Sequence, residues 1–445
     1  MKRMMRTCSA AAAAAVLLAA MPVSSVSATG VEEPETMIAT VTLNGDSASV
    51  VGENVTIEGT KITVTASGAY EFTGTLADGQ ICVNVVDEVA DPGTVKLYLN
   101  GVSMTGVSDA AIYVVNAEKT SINLVAETEN SFYGGETYTE TDAVICAKDD
   151  LTIKGDGYLY VEAPTQFGIS CNNDLKITGG EIKVKTALED GVRGKTSVEV
   201  KGGDIDINAE GDGLKSTKGD VLVSGGKMEV KAGNDAIQGE TSIQLTGGSV
   251  LANGDRGLRC DAGLINVAGA SVLATATDNQ VENLDAQQPV VLVNFAEEYL
   301  KDLTFALLND ASSSDVPVLE MKPDKKFSFA LISDPAMNLN TTYSLAIDGK
   351  RVEGFEFLKL TENVTIVDGA KITEGGETKD PLRCDIDNSG EVDISDAIML
   401  ARYTAEDTTI VIPPESSERT DCNGDGVANA ADVILVLSFI AKLIT

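Results

Sequence analysis

Four glycine pairs recur at a near-constant interval and constrain this chain more than any other feature. Gly179-Gly180, Gly202-Gly203, Gly225-Gly226 and Gly247-Gly248 follow one another at 23, 23 and 22 residues, and Gly269-Ala270 continues the series after another 22. Each pair sits between apolar-x-apolar triplets, as in Leu175-Lys176-Ile177 with Ile182-Lys183-Val184 and Val198-Glu199-Val200 with Ile205-Asp206-Ile207. A turn rich in Gly, Asp and Asn closes each unit. Alternation with period two marks short strands, and no helical period is present. A unit this short cannot bury its own apolar face, so repeated units stack as coils of a solenoid. The expected fold class is all-β, a parallel β-helix. Leucine-rich repeats share the period but need a Leu/Asn consensus that is absent here. A β-sandwich of hairpins is the structural alternative.

The spacing predicts regular coils over about residues 95–285, within a domain spanning 29–365. Residues 39–79 are expected to cap the N-terminal end, because an open sheet edge invites pairing with other chains. Beyond residue 289 the repeat fades. Alternating runs at Phe327-Ser328-Phe329 and Tyr343-Ser344-Leu345 predict a C-terminal β cap over 289–365, followed by a Gly- and charge-rich linker over 366–382.

The N-terminus reads as a secretory signal over residues 1–28. Lys2, Arg3 and Arg6 precede an apolar run from Ala10 to Met21, too short to span a bilayer, and Val26-Ser27-Ala28 offers a small-residue cleavage site. The expected product is secreted, without a membrane segment. Six further cysteines, Cys82, Cys146, Cys171, Cys260, Cys384 and Cys422, are widely scattered and are expected to be buried, inert thiols. The net charge of −35 disfavours nucleic acid and anionic membranes, which need basic patches. The chain has no His, which excludes triads using His, zinc sites using His and acid–base chemistry by His, and it has no Trp.

Two acidic twelve-residue loops stand near the C-terminus. Oxygen-bearing side chains fall at positions 1, 3, 5, 9 and 12 of each. They are Asp385, Asp387, Ser389, Asp393 and Asp396, then Asp421, Asn423, Asp425, Asn429 and Asp432. Gly390 and Gly426 occupy position 6, where the chain turns sharply. This spacing wraps backbone around one hard cation such as calcium. An apolar helical run follows each loop. Position 12 is Asp rather than the Glu of an ordinary EF-hand, and no helical pattern precedes the first loop.

These duplicated loop-plus-helix units resemble a type I dockerin, over residues 383–445. The resemblance implies two calcium ions, with the backbone carbonyls of Glu391 and Val427 joining the side chains above. It implies docking to a cohesin domain of a scaffold protein, with cohesin choice set near Ile394, Ser395, Ala430 and Ala431. Ser389 stands where the family usually has Asp, which removes a charge from the first site.

The body, over about residues 39–343, resembles a family of bacterial secreted carbohydrate-binding proteins. The residues that carry the likeness include Gly68-Ala69-Tyr70, Leu99-Asn100-Gly101, Asp150-Leu151-Thr152-Ile153 and Gly211-Asp212-Gly213-Leu214-Lys215. The resemblance implies a right-handed parallel β-helix like that of pectate lyases, and binding of acidic plant polysaccharide with calcium.

The repeats also predict a ladder of charge. Asp190, Asp212, Asp235 and Asp255 recur at one turn, with Glu189 and Asn234 beside them and Asp142 and Asp109 in similar places earlier. Equivalent residues of stacked coils lie about 4.8 Å apart. Two bare carboxylates that close repel by roughly 3 kcal/mol at an effective dielectric near 20. Arg193, Lys215 and Arg259 recur in a parallel column and can offset this, as can calcium bridging neighbouring carboxylates. A solvated Asp/Arg turn ladder is the plain structural reading. The functional reading is a calcium-assisted surface that holds polygalacturonate. The alternative is a calcium-dependent lyase using Arg193, Lys215 or Arg259 as base, and a cell-surface adhesin is a third class. Residues 129–141, with Phe132 and Tyr133, break the repeat most visibly and are a candidate substrate-side loop.

Overall fold

A computed structural model describes residues 35–278, 281–312, 316–372, 384, 386–387, 392–405, 407, 409–410, 412, 420, 422 and 427–443. The signal segment lies outside the described residues.

Each coil of the body contributes three strands. Ala143–Ala147, Asp150–Gly155 and Tyr158–Ala163 form one coil, and Phe167–Cys171, Asp174–Ile177 and Glu181–Thr186 the next. Each strand pairs in parallel with its counterpart one coil on, in register. Parallel neighbours need a long crossover, and here the other two strands of the coil supply it. Three ladders result. One is a ten-strand sheet running from Val55–Glu58 to Arg256–Cys260. The parallel pairing excludes the sandwich of hairpins for this region.

The glycine pairs turn the chain from the ladder that contains Asp174–Ile177, the first ladder, to the ladder that contains Glu181–Thr186, the second. Gly180, Gly203, Gly226 and Gly248 have φ of +95°, +99°, +83° and +81°, a region that L side chains rarely enter. A Cβ on Gly203 would lie 2.8 Å from the carbonyl oxygen of Gly180 in the neighbouring coil. The interval of 22 to 23 residues is therefore the length of one coil.

The triplets explain the core. In Leu175-Lys176-Ile177 the two apolar side chains turn inward and are fully buried, and Val198, Val200, Val221 and Val223 stack on them. Burying one such side chain contributes about 1.5–3 kcal/mol, and the column repeats it at every step.

Parallel coils begin earlier than residue 95. Ala39–Gly45 already pairs in parallel with Gly68–Leu76, and Lys61–Val64 with Gln80–Asn84. The end itself is covered by two antiparallel strands, Ala48–Gly52 on Ala39–Gly45 and Val55–Glu58 on Lys61–Val64. These first coils vary in length, 31 residues from Ala39 to Tyr70 and 27 from Tyr70 to Leu97, so no fixed interval marks them.

At the other end the second ladder continues into an antiparallel cap. Ser271–Ala276 pairs with Phe327–Ser333, which pairs with Val290–Tyr299. A second antiparallel sheet, from Phe305–Asn309, Leu319–Met321 and Thr342–Ile347, packs over this one. Phe295, Phe305 and Phe327 meet edge to face in the core between the sheets, with ring centroids 5.0–6.3 Å apart. The cap reaches further than residue 365. Val364–Ile372 pairs in parallel with Val290–Tyr299 and buries Val367 and Ala370, so residues 366–372 are strand rather than linker. Gly369, at φ +70°, sits at a bulge in this pairing.

Among the described residues the C-terminal module has two helices, α1 (Ile394–Thr404) and α2 (Ala430–Leu443). Ala397, Leu400 and Val436 pack between them with Ile386, Cys384 and Cys422. In the solenoid Cys82, Cys146, Cys171 and Cys260 are free and buried. Burial pushes the Cys146 thiol up to about 12 and Cys171 up to about 11, so neither offers a thiolate.

Candidate functional site

The predicted charge ladder lies on the ten-strand sheet and separates into two columns. Asp190, Asp212 and Asp235 form the inner one and are all buried. The N–H of Asp212 donates to Asp190 Oδ1 at 2.9 Å, and the N–H of Asp235 donates to Asp212 Oδ1 at 3.0 Å. The next member is Arg256, paired in register with Asp235. Asp255 instead belongs to an exposed outer column with Glu189 and Asn234, joined by backbone hydrogen bonds through Gly211. The reason is visible in the residues. Asp190, Asp212 and Asp235 stand two places before an inward apolar residue, whereas Asp109, Asp142 and Asp255 stand three places before one. One residue of offset moves a side chain to another column.

Arg193, Lys215 and Arg259 do share a column, with Ser170 before them and Gln238 between the last two. Their charges are already engaged. Lys215 Nζ donates to Asp212 and lies 3.9 Å from Asp190. Arg256 and Arg259 bind Asp235 at 2.6 and 3.1 Å. Arg193 reaches Asp142 at 2.7 Å, with its guanidinium 3.6 Å from the ring centre of Phe167. Burial raises the Asp190 carboxyl above its ordinary value. Burial also works to lower the Lys215 amine, but its bond to Asp212 and the charge of Asp190 outweigh it, and the amine titrates above the ordinary lysine value. Lys215 is therefore protonated at neutral pH. Among the described residues no three acidic or thiol side chains converge as a metal ion would require.

This geometry carries a prediction. Lys215→Met leaves Asp190 and Asp212 stacked with their cation gone. It should destabilise the solenoid by about 2–3 kcal/mol at pH 7. Asp190 titrates above its unfolded value, so its ionised form is the unfavourable one, and removing Lys215 worsens that. The deficit should be complete above the raised folded value, shrink as pH falls through it, and vanish below the unfolded value near 3.9. Denaturant midpoints of both proteins across acid pH check this.

A second surface was not anticipated from the sequence. The outward side chains of the second ladder form two columns. One runs Ser103, Ser131, Tyr160, Lys183, Asp206, Glu229 and Leu251. The other runs Tyr133, Glu162, Lys185, Asn208, Lys231 and Asn253. Between them and the cap segment at Lys322 and Asp324 lies a cavity of about 310 Å³. Tyr133 and Tyr160 lean together at its far end, with ring centroids 5.5 Å apart. Tyr160 Oη donates to Glu162 Oε2 at 2.8 Å, Lys185 binds Glu162 at 2.9 Å, and Lys231 binds Asp324 at 2.9 Å. Burial, with the bond to Glu162, pushes the Tyr160 phenol well up, so it stays a donor. Rings, ammonium groups, carboxylates and two amides alternate along this groove at one step per coil. It suits an extended ligand rich in hydroxyl groups.

The readable signal for the groove was the central residue of the second triplet in each repeat: Tyr160, Lys183, Asp206, Glu229. It was overlooked because those residues differ in kind, whereas the Asp turn repeats. The segment 129–141 divides. Phe132 is fully buried, Tyr133 faces the groove, and Asp109 holds the remainder, accepting from Thr139 Oγ1 and the N–H of Glu140 at 2.9 Å and of Thr141 at 3.1 Å. The groove and the Arg193–Lys215–Arg259 column lie on different ladders.

Of the predicted calcium ligands, Asp385, Ser389, Glu391, Asp421, Asn423 and Asp425 lie outside the described residues. The position-12 carboxylates, Asp396 and Asp432, are fully buried. Asp396 accepts from the N–H groups of Ile386 (2.6 Å), Asp387 (3.1 Å) and Asp393 (2.8 Å). Asp393 caps α1 by accepting from the Ser395 N–H, and Asn429 caps α2 through the Ala431 N–H, each at 2.7 Å. Oxygen donors and a buried carboxylate in each half fit a hard cation. Ile394, Ser395, Ala430 and Ala431 are all exposed in the first turns of the two helices.

Comparison with known proteins agrees with this division. Residues 58–290 match the family described as carbohydrate-binding domain-containing protein, and residues 383–441 match the type I dockerin domain. A carbohydrate-binding domain-containing protein of Acetivibrio thermocellus is 39% identical over 150 residues, covering 32% of this chain and 51% of the relative. The chain thus spans about half the length of that curated relative. A solved structure of the polysaccharide lyase-like protein from C. thermocellum, a gadolinium derivative, is similar at 31% identity and a TM-score of 0.46, covering 55% of this chain and 98% of that one.

Proposed function

The chain belongs to the carbohydrate-binding domain-containing family and ends in a type I dockerin, and from that premise we propose a division of labour between its two parts. The solenoid holds a linear plant-wall polysaccharide in the groove of its second ladder, and the dockerin couples it to a cohesin of a scaffold protein. Dockerin-bearing proteins are components of cellulosomes, which are typically extracellular. Among the described residues no helix is long and apolar enough to cross a membrane. We read the coils as right-handed, the hand that parallel crossovers overwhelmingly take.

One observation carries the polysaccharide reading: the two groove columns offer a new contact at every coil, about 4.8 Å apart, a spacing close to that of successive sugar rings. Tyr133 and Tyr160 supply faces for stacking, Lys322 lines the same cavity, and Lys183, Lys185 and Lys231, paired here with Asp206, Glu162 and Asp324, would exchange those part-exposed partners for uronate carboxylates. Polygalacturonate is therefore the preferred ligand, despite the net charge of −35. Asp206 and Glu229, one coil apart, are the solenoid's candidates for calcium shared with the polymer's own carboxylates. In the dockerin, calcium would be held by Asp385, Asp387, Ser389, Asp393 and Asp396, and by Asp421, Asn423, Asp425, Asn429 and Asp432. Bound there, the ion neutralises clustered carboxylates and ties each loop to its helix.

The reading is binding without turnover. β-Elimination needs an uncharged base beside the uronate. Lys215 is protonated, Arg193 and Arg259 are paired, and all three face away from the groove.

Retention of the intact chain on immobilised polygalacturonate tests the reading. Tyr160→Ala and Lys183→Ala should each weaken binding about tenfold to thirtyfold, the scale of a central contact residue. Ultraviolet absorbance of unsaturated product should stay flat. Undiminished binding in both variants would move the site elsewhere.

A further inference from the structure

The groove has one closed end. Its first column passes from the part-exposed Tyr160, Lys183 and Glu229 to Leu251, which is 8% exposed, and then to Leu273, which is 0% exposed. Leu251 and Leu273 belong to the aromatic core of the C-terminal cap, with Phe295, Phe305 and Phe327. The second sheet of the cap therefore rises from the very face on which the groove runs. Asp324 binds Lys231 at 2.9 Å, and Lys325 Nζ donates to the carbonyl of Ala232 and lies 3.6 Å from Asp255. These contacts fix the wall to the coils beneath it. In the other direction nothing comparable among the described residues stands over the column. Beyond Tyr160 it continues through Ser131 and Ser103, two small hydroxyls whose Oγ atoms bond at 2.9 Å.

We infer that the groove takes the end of a polysaccharide chain rather than its middle, with the terminal ring against the Lys322–Asp324 wall and the rest leaving over Tyr160 and Tyr133. The inference rests on the groove reading above. A polymer lying across the same face would have to pass through the cap, whose core is closed. The cavity of about 310 Å³ is at the small end of ligand sites, the size for a short terminal segment. A wall, a pair of lysines beside it and an open run of tyrosines and serines together make a one-ended site. Capture of ends would direct a scaffold-borne protein to places where the wall polymer has already been cut.

The experiment uses the intact chain and immobilised polygalacturonate at constant sugar mass, cut to raise the number of chain ends tenfold. Bound protein at saturation should rise about tenfold, and calorimetric titration with oligogalacturonides should give one protein per chain at every length. Capacity that stays constant per unit mass, or stoichiometry that grows with chain length, overturns end capture. If Tyr160→Ala still weakens that binding, the groove itself survives. Binding that is absent, or indifferent to Tyr160→Ala, overturns the groove reading and end capture with it.

Discussion

Asp396→Ala should reduce cohesin affinity at least a hundredfold and remove the α1 signal from the far-ultraviolet spectrum. Three backbone donors, from Ile386, Asp387 and Asp393, converge on this one fully buried carboxylate. Alanine leaves them without an acceptor, at about 1–3 kcal/mol for each buried group left unmade. The Asp393 N–H among them is the return bond of the capping box that starts α1, so the helix loses its N-terminal closure with it. The carboxylate charge proposed to face calcium at position 12 is lost as well. Ile394 and Ile398 lie exposed on the helix so weakened, so the surface presented to a partner goes with it. Titration with a cohesin checks the affinity. Chelator applied to the parent protein should reproduce the helix loss while leaving the β signal of the solenoid in place. Full cohesin affinity in the Asp396→Ala protein would remove the first loop from the docking account.

Gly226→Val should destabilise the solenoid by about 4 kcal/mol or more, large for a single substitution. Gly226 sits at φ +83°, where a β-branched residue is strained by about 1–3 kcal/mol. Its Cβ would also lie 2.6 Å from the carbonyl oxygen of Gly203 and 2.9 Å from the carbonyl carbon of Gly202. Both neighbours are backbone of the adjoining coil, so neither can swing aside as a side chain would. The coils on either side must separate. Limited proteolysis should then cut near residues 203–248, and the thermal midpoint should fall. Gly101→Ala is the control. Gly101 also has positive φ, +74°, but an added Cβ meets nothing within 4 Å, so only a dihedral penalty of about 1 kcal/mol is expected. Equal losses in the two variants would mean that coil contact is not what the glycine pairs provide.

The parts of the molecule legible from the sequence were those under uniform constraint. The Gly180–Gly203–Gly226–Gly248 series forced one coil length, and the apolar triplets forced one inward face. The loops from Asp385 and Asp421 displayed the spacing of a type I dockerin, the family that residues 383–441 match. What escaped was set by register. Asp255 looked like Asp235 but stands one place further from its inward apolar residue, and Arg256 takes the inner position. Tyr160, Lys183, Asp206 and Glu229 are aligned only once the repeats are superposed on their second triplet. Asp190 and Lys215 stood out because they repeat, and their repetition reflects mutual neutralisation inside the fold. The early coils at Ala39–Gly45 and Lys61–Val64 were hidden by unequal turn lengths, and Val364–Ile372 by its glycine.

The way the cap is rooted in the second ladder makes the body a ruler. The strand pairings join each coil to the one before and the one after, and the terminal sheet continues the pairing of the last strand of the second ladder. Splicing in a duplicate of the segment from Gly203 to Gly225 would push the open mouth one notch further from the fixed stop, with each pairing on either side preserved. Reach along a ligand would then be a matter of counting copies, adjustable by duplication without redesigning either extremity.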